Sequence, residues 1–305
     1  MKTITKLIRE IENEIKKAVS IANRNEFGFS IYTQLGETIL EAEKKDIPTN
    51  DNALITDILT IKTIIPKKKY TLDFKKINKI NRLLSLSGLY YDSIIQNTVL
   101  SNRLTIYNTD DEIWNIYKKL IIYIIKNQAN EFVKMNNMID ENQIERETIK
   151  SNHWNKIEYE NAYNLLKSCN LISYYSETGM SAEFPWNEGN KTVLTDHKTC
   201  LFTCKNINHA ILGDGIKFTL ELPINVNEGK KAIIANAFNK IEQTAIEAPP
   251  SFGSWCFEKG KDHMIFHGFL PNALYWKGSI GNLAIWLLFR SKIFKQVSDD
   301  ILGNN

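Results

Sequence analysis

The sequence predicts an α+β protein in which an all-helical N-terminal domain precedes an antiparallel sheet with helices packed on it. Glycine and proline supply the first observation, because eleven of the fourteen glycines and five of the seven prolines follow residue 150. The second is hydrophobic periodicity: apolar residues recur every three or four positions before about residue 170 and every second position after it. We therefore expect a helical domain over residues 1–165 and an α+β domain over residues 166–305.

Four amphipathic helices are predicted in the first domain, since helices of this kind bury one apolar face. Ile4 opens a stripe that continues to Val19. Asp73 is placed to cap a second helix, and residues 109–112 have the capping-box spacing that begins a third. A fourth helix passes through Tyr159.

The second domain begins with alternating residues. From residue 216 to 222, apolar side chains alternate with polar ones, which is typical of a strand with one buried face. Asn227 is placed to cap a helix, residues 253–272 form a predicted hairpin, and a last apolar helix covers about residues 279–297. The order of strands, helix, strands and helix predicts an antiparallel sheet covered by helices. The sequence contains no recognisable internal repeat.

The composition of the chain limits the cellular compartment and the classes of binding partner that we expect. Lysine and arginine total 38 against 35 acidic residues, so the chain lacks the basic excess of a general nucleic-acid binder. Neither a signal peptide nor an apolar run long enough for a membrane span is found, and no membrane partner is expected. Four cysteines are too few for a disulfide framework. We expect a soluble, reduced, cytoplasmic protein whose Lys-, Asn- and Ile-rich composition is of a bacterial, AT-rich type.

Two histidines and two cysteines between residues 196 and 209 raise the question of a metal site. On a strand, Cys200 and Cys204 stand about 13 Å apart, whereas two sulfurs on one zinc ion are about 4 Å apart. We therefore expect no metal site there. A cross-strand pair of His263 or His267 with His197 or His209 remains the alternative arrangement for metal or acid–base chemistry. Its acidic member would be Asp214, in a hydrolase or metal-dependent nuclease.

No other motif carries chemistry. The Gly-Asp-Gly at residues 213–215 opens a strand and is interpreted as a turn, because a phosphate loop needs a helix N-terminus behind it. Asp214 and Glu221 resemble a nuclease pair, but Pro223 stands where a lysine is usual. No nucleophile elbow occurs. The lysines at residues 67–69 are interpreted as a solvated loop, with a contact to an acidic partner or to the phosphate backbone of a nucleic acid as the alternative. We expect no catalytic residue, metal or cofactor.

Two segments carry a family resemblance. Residues 211–224, ILGDGIKFTLELPI, lead into a helix, and residues 249–272, PPSFGSWCFEKGKDHMIFHGFLPN, follow it. This order, over about residues 170–298, resembles the fold shared by class I type III secretion chaperones and YbjN-like domains. The resemblance implies a protein that binds protein segments, has no active site and belongs to a group in which many members dimerise.

The sequence therefore predicts a non-enzymatic, chaperone-like protein that binds another protein or itself. Its 6 Trp, 12 Tyr and 14 Phe support this, because aromatic side chains dominate interfaces. The candidate partner-binding residues are Phe252 and Trp255, in a predicted loop at the sheet edge. The alternative for Trp255 is packing in the core under the adjoining helix.

Overall fold

A computed structural model of the chain describes residues 4–48, 54–107, 111–139, 153–186, 199–224, 226–244, 250–258 and 263–302. The chain divides into two compact units. The first consists of Met1–Asp140 with Asn236–Ser254, and the second of Glu141–Ala235 with Trp255–Asn305.

The first unit contains a six-stranded antiparallel sheet in the order β1-β2-β3-β4-β6-β5. Its elements in chain order are α1 (Ile4–Ile15), β1 (Ile21–Asn25), β2 (Gly28–Thr33), β3 (Gly36–Pro48), β4 (Leu54–Ile64), α2 (Phe74–Asn81), β5 (Gly88–Asp92), β6 (Asn97–Tyr107) and α3 (Asp111–Asn137). Helices α1 and α3 pack against each other. Gln128 of α3 donates to the Thr63 hydroxyl, which places α3 on the face of the sheet that carries Thr63.

The prediction of an all-helical N-terminal domain is wrong. The six strands of the first sheet lie within residues 21–48, 54–64 and 88–107. A low content of glycine and proline does not by itself indicate helix, because these segments are rich in isoleucine and threonine, whose branched Cβ atoms favour strands. Several turns also form with little glycine: Gln96 adopts a positive φ of 49° in the β5–β6 turn, and the Asp92 carboxylate accepts the Ile94 N–H in the same turn.

The predicted helices themselves are confirmed. Ile8 and Ile11 of α1 are buried, and the Asp73 side chain caps α2 by accepting the Lys76 N–H. Helix α3 begins at Asp111; the first two residues of its predicted capping box, 109 and 110, lie outside the described residues. The fourth predicted helix, which passes through Tyr159, belongs to the second unit.

The second unit is built on another six-stranded antiparallel sheet, in the order β11-β12-β10-β9-β8-β7. The elements from here to the C-terminus are α4 (Lys156–Ser168), β7 (Ile172–Tyr175), β8 (Gly179–Pro185), β9 (Thr199–His209), β10 (Gly213–Leu222), α5 (Glu228–Glu242), β11 (Ser254–Phe257), β12 (Met264–Pro271), a short 3-10 turn (Asn272–Leu274) and α6 (Ser279–Leu302). Helix α5 belongs to the second unit up to Ala235 and to the first unit from Asn236.

The order predicted for the C-terminal half is present. Ile216, Phe218, Leu220 and Leu222 of β10 are buried, and the alternating Lys217, Thr219 and Glu221 are half-exposed. The Asn227 side chain accepts the Gly229 N–H at the start of α5. Helices α4 and α6 pack together and lie on the buried face of β8, β9 and β10. The turn of the predicted hairpin, residues 259–262, is outside the described residues.

The two sets of elements repeat one topology. Each runs helix, four strands, helix, two strands, helix, and in each sheet the last two strands pair in reversed order beside the fourth. The outer helices also correspond, since α1 packs on α3 as α4 packs on α6. The chain therefore contains an internal duplication of topology that its sequence does not display.

The long helices are amphipathic or half-buried elements of these cores. Among the described residues, no helix combines the length and the apolar character that crossing a bilayer requires.

Candidate functional site

The segment with two cysteines forms β9, and Cys200 and Cys204 both point into the core. Each is fully buried on the face that also carries Phe202. Burial raises the pKa of the Cys200 thiol to about 12, against a smaller lowering by its hydrogen bond with Ser291, and burial also raises the pKa of Cys204. Both thiols are therefore protonated at neutral pH. Among the described residues, no three His, Cys, Asp or Glu side chains converge in a geometry that could hold a metal ion.

The structure does not gather the candidate histidines with Asp214. His209 is buried, and its Nδ1 accepts the N–H groups of Ile211 and Leu212, so it closes the turn between β9 and β10. His263 lies at the other end of β10, where its Nδ1 is 4.0 Å from the Glu221 carboxylate. His197 lies outside the described residues.

His267 lies on the sheet face that carries Glu221, one diagonal step from it, and not beside Asp214. His267 is buried opposite Thr219 in the register of β10 and β12, and β10 separates β12 from β9. Asp214 and Glu221 are seven residues apart on one strand, which puts their side chains on opposite faces and roughly 23 Å apart. Asp214 instead accepts a hydrogen bond from Asn208 at 2.6 Å.

Phe252 and Trp255, the candidate partner-binding residues, both lie in the interior. Phe252 is 2% exposed and Trp255 is fully buried. The Trp255 ring centroid is 4.5 Å from that of Phe294 and 5.1 Å from that of Phe266. Binding through either side chain stays a prediction, and it would require that side chain to leave its packed position.

Strand β7 forms an open edge of the second sheet. Ile172 is 56% exposed and Tyr174 is 66% exposed, while Ser173 between them is buried. The Ser176 N–H bonds the Gly179 carbonyl at the hairpin turn, and hydrogen-bonded pairs alternate along an antiparallel ladder. Tyr174 and Ile172 therefore bond to β8, and Ser173 and Tyr175 direct their backbone groups away from the sheet. In the part of the chain that the structure describes, no strand pairs with that outer edge.

The exposed face of the sheet continues this surface inward from β7. The register places Ile172 beside Glu183 of β8, and Glu183 beside Leu201 of β9, which is 37% exposed. Tyr174 lies beside Ser181, in a row that continues to Thr203. The edge therefore has apolar side chains separated by one acidic and several small polar ones.

One of the two edge strands of the first sheet, β5, provides a contrast. At β5, the Asn81 amide accepts the Leu89 N–H at 2.9 Å and donates to the Leu89 carbonyl at 2.8 Å. The Asn236 amide bonds the N–H and carbonyl of Tyr91 in the same way. Two side chains thus occupy the outward backbone groups of β5, which is one way proteins protect sheet edges from pairing. No side chain does this for Ser173 and Tyr175 among the described residues.

Sequence reasoning missed this edge because its alternation is inverted. Residues 172–175 place a serine toward the core and Ile172 and Tyr174 toward solvent. In the neighbouring strand β8 the apolar residues are the ones that face the core: Met180, Ala182 and Phe184 are buried. Residues 172 and 174 share the face of Ser181 and Glu183 through the antiparallel register to β8, which the sequence does not display.

The basic stretch at residues 67–69 is exposed, as a solvated loop would be.

The chain was compared with known proteins, and no family model, no curated protein and no solved structure matches it.

Proposed function

We propose that this protein is a non-enzymatic binding protein that accepts an extended segment of another protein as an additional strand on β7. The observation that carries the proposal is the uncapped edge of β7 with Ile172 and Tyr174 exposed on it. Strand addition uses main-chain hydrogen bonds for affinity and alternate side chains for specificity, and β7 offers both.

The energetics favour a segment with apolar residues at every second position. Each backbone hydrogen bond contributes about 0.5–1.5 kcal/mol net, and only Ser173 and Tyr175 present outward groups on this four-residue strand. Most of the free energy of binding must then come from side chains that cover Ile172 and Tyr174, at about 25 cal/mol per Å² of apolar area.

The neighbouring residues bias the partner further. Glu183 is half-exposed beside Ile172, so a basic residue on the incoming segment would be favoured at that end. The predicted resemblance to secretion chaperones and YbjN-like domains implies the same general role, the binding of protein segments. None of the four cysteines forms a disulfide, which fits the reducing cytoplasm in which we place the protein.

Selection of peptides from a random display library on the full chain tests the proposal. We expect selected peptides to have alternating apolar residues and to lose at least about tenfold in affinity for Tyr174→Asp. Tyr32→Asp is the matched control, because Tyr32 is 67% exposed on the first sheet and Tyr174 is 66% exposed. Equal loss with both variants, or none with Tyr174→Asp, would contradict binding at β7.

A second variant separates backbone pairing from side-chain contact. Ser173→Pro removes one outward N–H and leaves the pairing of Ile172 and Tyr174 with β8 intact, because proline is tolerated at the outward positions of edge strands. We expect this variant to melt near the wild-type temperature and to bind the selected peptides weakly. Full binding by Ser173→Pro would exclude strand addition.

A further inference from the structure

Helix α6 keeps an apolar stripe outside the core. Its inner face is buried at Leu283, Leu287 and Phe294, as expected of a helix packed on a sheet. On the opposite face Ile285, Trp286 and Ile293 are only half-buried, and Phe289 is 48% exposed at the centre of the helix. The same face also carries the exposed polar residues Asn282, Lys292 and Gln296. We call residues Asn282, Ile285, Trp286, Phe289, Lys292, Ile293 and Gln296 the α6 stripe; none of them is buried.

The corresponding helix of the first unit shows that the topology does not require such a stripe. Helix α3 occupies the same place in the repeated topology. Among its residues with described side chains, every fully exposed one is lysine or asparagine: Asn115, Lys119, Lys126, Lys134 and Asn137. Helix α3 has half-buried apolar residues such as Ile122 and Tyr123, but among its described side chains none is both apolar and as exposed as Phe289.

The α6 stripe has self-complementary chemistry about Phe289. Trp286 and Lys292 lie three residues on either side of Phe289. Ile285 and Ile293 lie four residues on either side, and the two amides, Asn282 and Gln296, lie seven residues away. When two copies of a helix pack antiparallel about a two-fold axis, residues at equal distances from the axis face each other.

Each of these pairings is favourable. Phe289 would meet Phe289 of the other copy, each Ile285 would meet an Ile293, and each Asn282 would meet a Gln296. Lys292 would lie over the Trp286 ring, an arrangement that attracts a cation to the face of an indole. A parallel pairing would instead place Lys292 beside Lys292, and like charges in contact are repulsive.

We infer that the α6 stripe is a dimerisation surface, and that its occupant is α6 of a second copy of this chain, antiparallel, with the two-fold axis at Phe289. In such a helix pair, the ridges of side chains on each helix pack into the grooves of the other helix. This inference is independent of strand addition at β7, because the two surfaces lie on different elements.

Light scattering on the full chain tests the dimer. We expect the wild-type protein to have twice its chain mass of 35.2 kDa at micromolar concentration, and the dimer dissociation constant to rise on the order of 100-fold for Phe289→Asp. Phe27→Asp is the matched control, because Phe27 is 45% exposed in a turn of the first unit, and it should remain dimeric. Phe289→Asp should still bind selected peptides at β7. A wild-type protein that is monomeric at all concentrations, or a dimeric Phe289→Asp, would overturn the inference.

Cysteine cross-linking tests the orientation. The background is Cys169→Ser, since Cys169 is exposed while the other cysteines are buried. We expect Phe289→Cys to cross-link to itself on oxidation. Ile285→Cys should cross-link when mixed with Ile293→Cys and not when alone, because in an antiparallel pair two copies of residue 285 are about 12 Å apart along the axis. Self-linking of Ile285→Cys without the mixed product would show a parallel pair and overturn the proposed arrangement.

Discussion

At the scale of single residues, Trp255 contributes to stability through its packing. Its ring lies between Phe266 and Phe294, and the side chain is fully buried. Trp255→Ala should lower the free energy of unfolding by about 3–5 kcal/mol, because a cavity replaces these contacts. Urea denaturation measures the change, with Tyr174→Ala as an exposed control expected to change stability by less than about 0.5 kcal/mol. A loss below about 1 kcal/mol for Trp255→Ala would show that this packing is not formed in solution.

The cysteines should differ sharply in reactivity. Burial raises the pKa of Cys200 to about 12 and also raises that of Cys204, while Cys256 is buried and Cys169 is exposed. The thiolate is the reactive form, so at pH 8 one of the four cysteines should react quickly with Ellman's reagent. Cys169→Ser should abolish the fast phase. A fast phase of two or more thiols in the native protein would contradict the burial of Cys200, Cys204 and Cys256.

At the scale of elements, the Asn81 cap should stabilise the edge strand β5. Asn81 is fully buried and makes two hydrogen bonds to the backbone of Leu89. Asn81→Ala leaves these groups without partners, so we expect a loss of about 1–3 kcal/mol and faster amide exchange at Leu89. Asn23→Ala, which removes one exposed hydrogen bond to Glu37, is the control and should change stability by less than about 0.5 kcal/mol. Unchanged exchange at Leu89 would disprove the cap.

Helices were predictable from the sequence where apolar residues recur regularly on one face and where the capping residue lies next to the helix in the chain. Asp73 precedes α2 and accepts the Lys76 N–H, a contact three residues long that the sequence displays directly. Strands of the first unit were missed because their evidence is non-local. Leu40 of β3 is buried opposite Ile61 of β4, and a single segment does not reveal that pairing. The β10 strand was predicted because its alternation is complete within one segment.

The candidate site was not predictable for the same reason. Whether β7 is an edge depends on the strand order of the whole sheet, and residues 172–175 carry no sign of that order. Phe252 and Trp255 were selected for their aromatic character and their proximity to Pro250, but burial depends on the elements that pack around them. Aromatic content alone does not separate an interface from a core.

At the scale of the whole molecule, the two units share one topology, although the sequence shows no visible repeat. Both sheets keep the pattern of buried and half-exposed residues that the arrangement needs, while individual side chains differ. In this topology β7 corresponds to β1, and β5, which Asn81 and Asn236 cap, corresponds to β11.

The division into units predicts unequal behaviour of fragments. Residues 236–254 belong to the first unit, where Gln243 accepts from Ser101 and the Ser254 hydroxyl donates to the Asn81 carbonyl. A fragment of residues 1–150 lacks these partners and should unfold without a cooperative transition. A fragment of residues 151–305 contains every described part of the second unit and should unfold cooperatively. Calorimetry on both fragments measures this, and a cooperative transition for residues 1–150 would contradict the division.

Amide hydrogen exchange at Ser173 and Tyr175 tests the central proposal most directly. In the free protein these outward amides should exchange quickly, whereas the capped amides of Leu89 and Tyr91 should exchange slowly. A selected peptide bound to the full chain should protect Ser173 and Tyr175, because each amide then bonds the added strand, and it should leave Leu89 and Tyr91 unchanged. Peptide binding that leaves the Ser173 and Tyr175 amides as fast as in the free protein would contradict the account.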